Sequence, residues 1–383
     1  MSASGRSATI TDTERREKLR GLLLRSAEPD GFVPFDRFME VALYGEGVGF
    51  YSRSDSPFGR AGDYYTAAHA SPLFGRTIAE RVRSALGNLP PGTPARVVEV
   101  GPGDGTLGEG VVRGLAAGPQ IPEGVEYVLV ERSPSLSRRG FERVSAAGEA
   151  VGMPVRPSEG IGADGPFRGV VLANELLDAQ PVRRLRWNGR EWQETGVRLA
   201  DHELLSASKP CHQPVPPPEL PTGLAEGTVL EVSPMAEALV REVADHLVSG
   251  LCLFLDFGMD ESELVSGHPS GTLAGVRKHR SVDDPLDDPG SSDLSAFVNF
   301  SRIRSVARSA GLHEIAFRRQ GEALHAWGLP KFLEEAVRAA PSSEAKVRTH
   351  LAAKNLLFGF DRFYALELAP PSGPEGSSSA PVT

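Results

Sequence analysis

The chain has 383 residues, 40% of them hydrophobic, a formal net charge of −9 and an isoelectric point near 5.6. That length supports one large domain or two modest ones, and the acidic balance argues against a general nucleic-acid binder, which needs a basic face. Its two cysteines, Cys211 and Cys252, lie far apart with no ligand-spaced partner, against a disulfide scaffold or zinc site and in favour of a reducing compartment.

Residues 1–12 are polar and expected to fray. Residues 13–25 and 34–43 read as helices, the second with Phe35, Phe38, Met39, Ala42 and Leu43 at helical spacing. Residues 55–66 form a Gly-rich loop. Its Gly62-Asp63-Tyr-Tyr-Thr66 stretch mixes hydrogen-bonding groups with aromatic surface, and Asp63 and Thr66 are expected to reach a ligand as parts of a lid. Residues 71–86 read as another amphipathic helix before prolines 90–94 break the chain. Residues 13–94 are thus expected to form a helical cap.

The run 96–100 is β-branched and leads into Gly101-Pro-Gly103-Asp-Gly105, after which Thr106 opens a helix to about 115. Strand, glycine turn and helix in that order bring a ligand against bare backbone at a helix N-terminus. Glu99 beside the turn suits a cationic amino-acid group, such as that of S-adenosylmethionine (SAM), better than a pyrophosphate. Gly103 to Gly108 also matches the dinucleotide pattern, but two residues late, and Thr106 stands where the frame from Gly101 needs its last glycine. A NAD-dependent oxidoreductase is therefore the outer alternative. Residues 125–130 form a second strand ending at Glu131, placed to accept ribose hydroxyls. Ser133 and Pro134 follow, with Ser133 beside the ligand or simply opening the next helix.

Strands at 96–100, 126–130, 169–173 and 251–257 alternate with helices, the pattern of a doubly wound α/β sheet over residues 95–368. Residues 183–187 and 190–195 flank Asn188-Gly189 and read as a hairpin with a type I′ turn. With a Pro-rich loop at 209–223, this marks an insertion over about 183–230. Ser233 and Pro234 open a further helix, and the Pro/Gly/Ser-rich tail 369–383 is not expected to order.

The segment Asn174-Glu175-Leu-Leu-Asp178 follows the third of these strands directly. Carboxyl ends of such strands are where substrate meets cofactor. One amide and two carboxylates there could orient a nucleophile and accept its proton, or could merely cap a helix. Asn174, Glu175 and Asp178 are the catalytic candidates. His69 has no neighbouring His or Cys, and the acidic run 283–288 lacks the glutamate of a calcium loop, so no metal is expected. No apolar run reaches the ~20 residues of a membrane helix and no signal segment leads the chain, so a cytoplasmic protein without a membrane partner is expected.

Several blocks in order resemble the MidA-like SAM-dependent methyltransferases, bacterial relatives of the mitochondrial complex I assembly arginine methyltransferase. They include Phe58-Gly-x-x-Gly62-Asp-Tyr-Tyr-Thr66, Ser71-Pro-Leu-Phe-Gly75, Glu99-x-Gly-Pro-Gly-x-Gly-Thr-Leu107, Glu131-x-Ser-Pro134 and Ala173-Asn-Glu-Leu-Leu-Asp-Ala-x-Pro-Val182. Glu231-Val-Ser-Pro234, Asp256-Phe-Gly258 and Gly271-Thr-Leu273 continue the match. The resemblance implies a class I methyltransferase fold, a seven-stranded sheet whose last hairpin, at about 316–319 and 363–368, introduces an antiparallel strand. It implies SAM at Glu99, Gly101, Gly103, Gly105 and Glu131, beside which Thr106 and Ser133 are further cofactor-binding candidates, and it points to N-methylation of arginine in a protein or peptide. His69, Asp104, Phe297 and Asn299 depart from the family pattern in segments expected to face the acceptor. A tailoring enzyme for a small natural product or ribosomal peptide, and a non-catalytic SAM-binding assembly factor, are the alternatives.

Overall fold

In a computed structural model, which describes residues 11–52, 66–90, 92–119, 123–200, 203–211 and 223–371, the alternating pattern becomes a seven-stranded sheet. Its strands are β1 (Ala95–Val100), β2 (Val125–Val130), β3 (Val155–Ser158), β4 (Phe167–Asn174), β5 (Leu247–Met259), β6 (His313–Arg319) and β7 (Phe363–Ala369). The spatial order is β6-β7-β5-β4-β1-β2-β3. The central strands pair in parallel, whereas β7 runs antiparallel to both β5 and β6. This is the class I methyltransferase arrangement. The two-residue strand Val298–Asn299 adds to β5 in parallel.

Period-two alternation sends the strand side chains to opposite faces. Val97, Leu172, Leu253 and Ala365 enter one apolar cluster, and Val98, Ala173, Phe254 and Leu366 the other. Helices α1 (Ala67–Ala70), α2 (Pro72–Gly87), α3 (Thr106–Ala117) and α4 (Pro134–Val151) surround β1 to β4 in the chain, and α5 (Pro234–His246) precedes β5. The helix α6 (Phe300–Ser309) follows, and α7 (Gln320–Ala326), α8 (Leu329–Ala339) and α9 (Ser343–Phe358) fill the β6–β7 connection. The first cluster is covered by α2, α3, α4 and α7 to α9, and the second by α5 and α6. Both sheet faces are thus buried, as a parallel sheet requires.

Chain contacts divide the protein into two units. The sheet unit takes Tyr65–Asp178, Met235–Glu261 and Phe297–Thr383; the other takes Met1–Tyr64, Ala179–Pro234 and Ser262–Ala296. This differs from a helical cap over 13–94. Helix α2 groups with the sheet, because Phe74, Ile78 and Val82 form its apolar stripe and are fully buried in the first cluster. The second unit is also not purely helical. Beside the helices Asp12–Ser26 and Phe35–Tyr44 it holds a five-stranded antiparallel sheet in which Phe32–Pro34 pairs with Trp192–Ala200. Three separate stretches of chain build it, so the insertion is wider than 183–230.

The hairpin at Asn188 also differs from a two-residue turn. Trp187 pairs with Trp192, leaving a four-residue connection in which Asn188 Oδ1 accepts the N–H groups of Arg190 and Glu191. The edge-on contact of the two indoles, with centroids 5.4 Å apart, favours closing the ladder there. Strands β3, Phe32–Pro34, Glu203–Pro210 and Val229–Val232 carry no distinctive pattern of their own and become strands by pairing.

Within the second unit Glu231 is the organising acid. Its buried carboxylate accepts Thr272 N–H (2.7 Å), Thr272 Oγ1–H (2.5 Å), Leu273 N–H (3.1 Å) and Arg184 Nε–H (3.1 Å). This accounts physically for the Glu231 and Gly271-Thr-Leu273 blocks. Glu231→Ala should destabilise this unit by about 2–3 kcal/mol, because two backbone donors and a guanidinium lose their acceptor. Denaturant titration measures it, and an unchanged midpoint would mean that the network contributes nothing.

Candidate active site

Strand register brings the candidate residues to one edge of the sheet unit. Val100 pairs with Val130 and Ala173, and Leu255 with Asn174, so β1, β2 and β4 end at one level, which β5 passes at Leu255 and Asp256. From that edge emerge the glycine turn, Glu131 and the segment 174–178, with Asp256 beside them on β5.

In the turn, Gly101, Gly103 and Gly105 all have positive φ, of 68°, 56° and 78°. A side chain at Gly105 would also bring its Cβ within 2.7 Å of the Gly140 carbonyl oxygen on α4. Only glycine satisfies both the conformation and the approach. The turn does not leave its amides open to an anion: Gly103 N–H donates to Glu131 (3.3 Å), and Thr106 N–H to Asp104 (3.1 Å). Asp104 therefore occupies the positive end of α3. Burial opposes its ionisation, but hydrogen bonds from His69 and Thr106, together with the Arg143 charge, hold its carboxyl well below the usual range. A pyrophosphate would meet this carboxylate, which physically disfavours a dinucleotide.

Three acids cluster about the turn. Glu99 is 2% exposed, lies under α3 and accepts the Tyr127 hydroxyl at 2.9 Å. Burial pushes it up to about 7, with Asp104 and Glu131 adding to the rise against the Tyr127 bond. Glu131 accepts the N–H groups of Ser133 (2.9 Å) and Gly103, and burial raises its carboxyl despite them. The donor set thus fits a ligand bearing ammonium and sulfonium charges with ribose hydroxyls. Ser133 is buried and caps α4 by accepting Leu136 N–H at 3.4 Å, the helix-opening role that its sequence context allowed.

Thr66 and His69 face the same turn. Thr66 Oγ1 lies 2.7 Å from His69 Nδ1, and His69 Nε2 lies 3.2 Å from Asp104 Oδ2. Thr66 is thereby engaged by a side chain of its own helix, while Asp63 lies outside the described residues. The departures His69 and Asp104 turn out to be partners.

The segment 174–178 is held as a strained turn. Glu175 has φ of 51°, a left-handed value that a glutamate adopts at a cost of roughly 1–2 kcal/mol. Its N–H donates to Leu255 O (2.8 Å), and its carboxylate accepts Ala67 N–H (3.0 Å) and Asn174 Nδ2–H (3.3 Å). Asn174 Oδ1 is buried with no hydrogen-bond partner among the described residues. Leu176 rests on the glycine turn, its Cδ1 only 2.6 Å from where a Gly101 Cβ would sit. Asn174 and Asp178 do not cap a helix, since none begins there.

Sequence reasoning missed Tyr127, Arg143 and Asp256 as parts of this edge. Asp256, 1% exposed, accepts Leu176 N–H (2.9 Å), Leu177 N–H (2.6 Å) and Phe257 N–H (2.8 Å). An acid set within a buried apolar strand, in Asp256-Phe-Gly258, was the available signal. Asn299 is explained structurally. It caps α6 through Arg302 N–H and donates to Glu261 at 2.7 Å.

Comparisons with known proteins point to a methyltransferase family. A family model of S-adenosyl-L-methionine-dependent methyltransferases matches residues 74–317. A Burkholderia thailandensis protein solved with S-adenosyl-homocysteine bound is 31% identical, with TM-score 0.83 over 94% of this chain and 93% of that one. Protein arginine methyltransferase NDUFAF7 homologues are similar too. The Drosophila melanogaster protein is 28% identical over 73% of this chain and 68% of its own length, and the Mus musculus protein 26% over 75% and 69%. Those curated relatives are mitochondrial, which overturns the cytoplasmic expectation. A scarcity of cysteines does not distinguish one reducing aqueous compartment from another. No helix among the described residues is long and apolar enough to cross a membrane.

Because Glu99 is raised on folding, its contribution to stability is complete below the unfolded carboxyl range and is lost as pH rises through about 7. Ligand-free protein should therefore lose stability between pH 5 and 8, by at most on the order of 3 kcal/mol from this group. Glu99→Gln should flatten that part of the profile. Chemical denaturation across the pH series reads it, and parallel profiles for variant and wild type would refute the assignment.

Proposed function

The chain belongs to the MidA-like family of S-adenosyl-L-methionine-dependent methyltransferases, and from that premise we propose that it methylates a guanidino nitrogen of arginine in a protein or peptide. The observation that carries the reading is the acceptor-rich wall at the end of β4. Asn174 Oδ1 is buried without a donor among the described residues, beside the carboxylate of Glu175. A guanidinium offers five N–H donors in a fixed fork and no acceptor, which complements such a wall. A hydroxyl acceptor would offer a single donor. The names of the NDUFAF7 relatives support the same substrate class.

In this reading Glu131 accepts the ribose hydroxyls, with Ser133 holding the helix start behind it. The turn Gly101, Gly103, Gly105 and Thr106 supplies a wall without side chains at its glycines. Glu99 offsets the amino-acid ammonium, directly or through water. Bound SAM supplies a methyl group on a sulfonium, already a good leaving group, so the reaction requires no metal. Asn174 and Glu175 orient the acceptor nitrogen, and Glu175 or Asp178 takes the proton released as that nitrogen gains the methyl.

Incubation with methyl-labelled SAM and arginine-containing protein partners, followed by identification of the labelled residue, tests this. Glu175→Gln or Asp178→Asn should lower kcat by ~10²–10⁴-fold if that group takes the proton, with SAM affinity little changed. Label recovered only in small molecules, or wild-type rates in both variants, would refute the proposal. Separately, Glu131→Ala should weaken SAM binding by ~1.5–3 kcal/mol in calorimetry, the range for hydrogen bonds to a charged group. An unchanged affinity would remove Glu131 from the cofactor site.

A further inference from the structure

The strained turn at Glu175 needs something to hold it, and β5 provides it. A left-handed glutamate tends to relax into an extended conformation, and that would swing its carboxylate away from Asn174 and Ala67. Glycine at 175 would remove the strain but also the carboxylate. Strain retained at a position with a charged side chain is the pattern expected where the side chain must point in one direction.

The two residues after Glu175 are pinned by one buried oxygen. Asp256 Oδ2 accepts both Leu176 N–H (2.9 Å) and Leu177 N–H (2.6 Å), while Oδ1 accepts Phe257 N–H (2.8 Å). Glu175 N–H is itself tied to Leu255 O at 2.8 Å, so three consecutive amides of the turn are fastened to the end of one strand. The side chain of Asp178 also hydrogen-bonds to the Asp256 carboxyl. Burial pushes Asp256 up to about 6, against its bonds from Phe257, Leu177, Leu176 and Asp178. Gly258, two residues on, lets the backbone of Val298 approach: a Cβ there would lie 2.2 Å from the Val298 carbonyl oxygen. The Asp256-Phe-Gly258 block thus combines an acid that fixes a turn with a glycine that admits a neighbouring strand.

We infer that Asp256 is a positioning residue for methyl transfer: its buried carboxyl group locks the left-handed turn at Glu175 and, through their side-chain hydrogen bond, the orientation of Asp178. It does not touch the acceptor. It sets the direction of the groups that do, and the inference rests on their role in the proposed function. An amide cannot replace it fully. Asparagine has one acceptor atom, so its NH₂ must face either the Phe257 N–H or the pair at Leu176 and Leu177.

Asp256→Asn separates positioning from folding. The expected result is a loss of about 100-fold in kcat, the scale for displacing reacting groups by an ångström, with the SAM dissociation constant nearly unchanged. Wild-type kcat, or a kcat loss matched by an equal loss of SAM affinity, would overturn the inference. A thermal double-mutant cycle with Glu175→Gly supplies a readout free of turnover. With glycine at 175 the turn needs no holding, so Asp256→Asn should lower Tm less in that background than in wild type. Additive Tm shifts would overturn the inference even if Asp256→Asn alone folds poorly. Absence of turnover by the wild type with every arginine partner would instead remove the proposed function, while the Tm cycle would still decide whether Asp256 holds the turn.

Discussion

The register of four parallel strands is the constraint on which the candidate site depends. Val100, Val130, Ala173 and Leu255 stand at neighbouring positions, so the segments that follow β1, β2 and β4 leave the sheet at the same edge, beside Asp256 in the continuing β5. Burial on both faces fixes that register: a slip of one residue would turn Val98, Ala173 and Phe254 out of one apolar cluster and into the other. The chemistry at the edge therefore inherits its geometry from hydrophobic packing far from any ligand. Segments almost 160 residues apart in sequence, at Glu99 and Asp256, are brought to the two sides of β4 by the strand ladder.

Acidic residues serve three physical ends in this protein. Glu231 accepts an arginine and backbone donors, and Glu126 accepts two arginines, so each carboxylate has its donors on the spot. Asp104 is ionised, held by His69, Thr106 and Arg143, and its charge closes the N-terminus of α3 to anions. Glu99 and Asp256 are different. Each is almost wholly buried without a basic partner, so burial lifts its carboxyl above the ordinary range and the proton is kept close to neutrality. A cationic ligand would supply the charge that Glu99 lacks, which is the electrostatic logic of a site for SAM. Asp256 finds its compensation in backbone amides instead, and spends it on the shape of the turn.

The departures from the family pattern acquire physical meaning in pairs. His69 and Asp104 lie in segments 35 residues apart, and each is unusual by itself in the sequence. Together they make one contact that ties the first turn of α1 to the glycine turn, beside the bond from Ala67 N–H to Glu175. Asn299 likewise serves a helix start and Glu261. These are local exchanges of partners that leave the ends of β1, β2 and β4 as the fold requires.

Much was legible in the chain alone because it is written in short-range chemistry. A β-branched run followed by glycines at 101, 103 and 105 can hardly be anything but a strand turning tightly into a helix, since other residues do not adopt those torsions. Alternation of strands and helices likewise determined the fold class, and an acid after the second strand marked Glu131. Contacts across long separations could not be read this way. The grouping of α2 with the sheet, the assembly of the second unit from three stretches, and the four-residue turn at Asn188 depend on which apolar faces and aromatic pairs meet. Whether Ser133 caps a helix, whether Asn174 begins one, and that Asp256 holds the turn after Glu175 were likewise decided by three-dimensional contact. Residue type and spacing specify what a backbone can do locally; only tertiary packing decides which buried donor finds which acceptor.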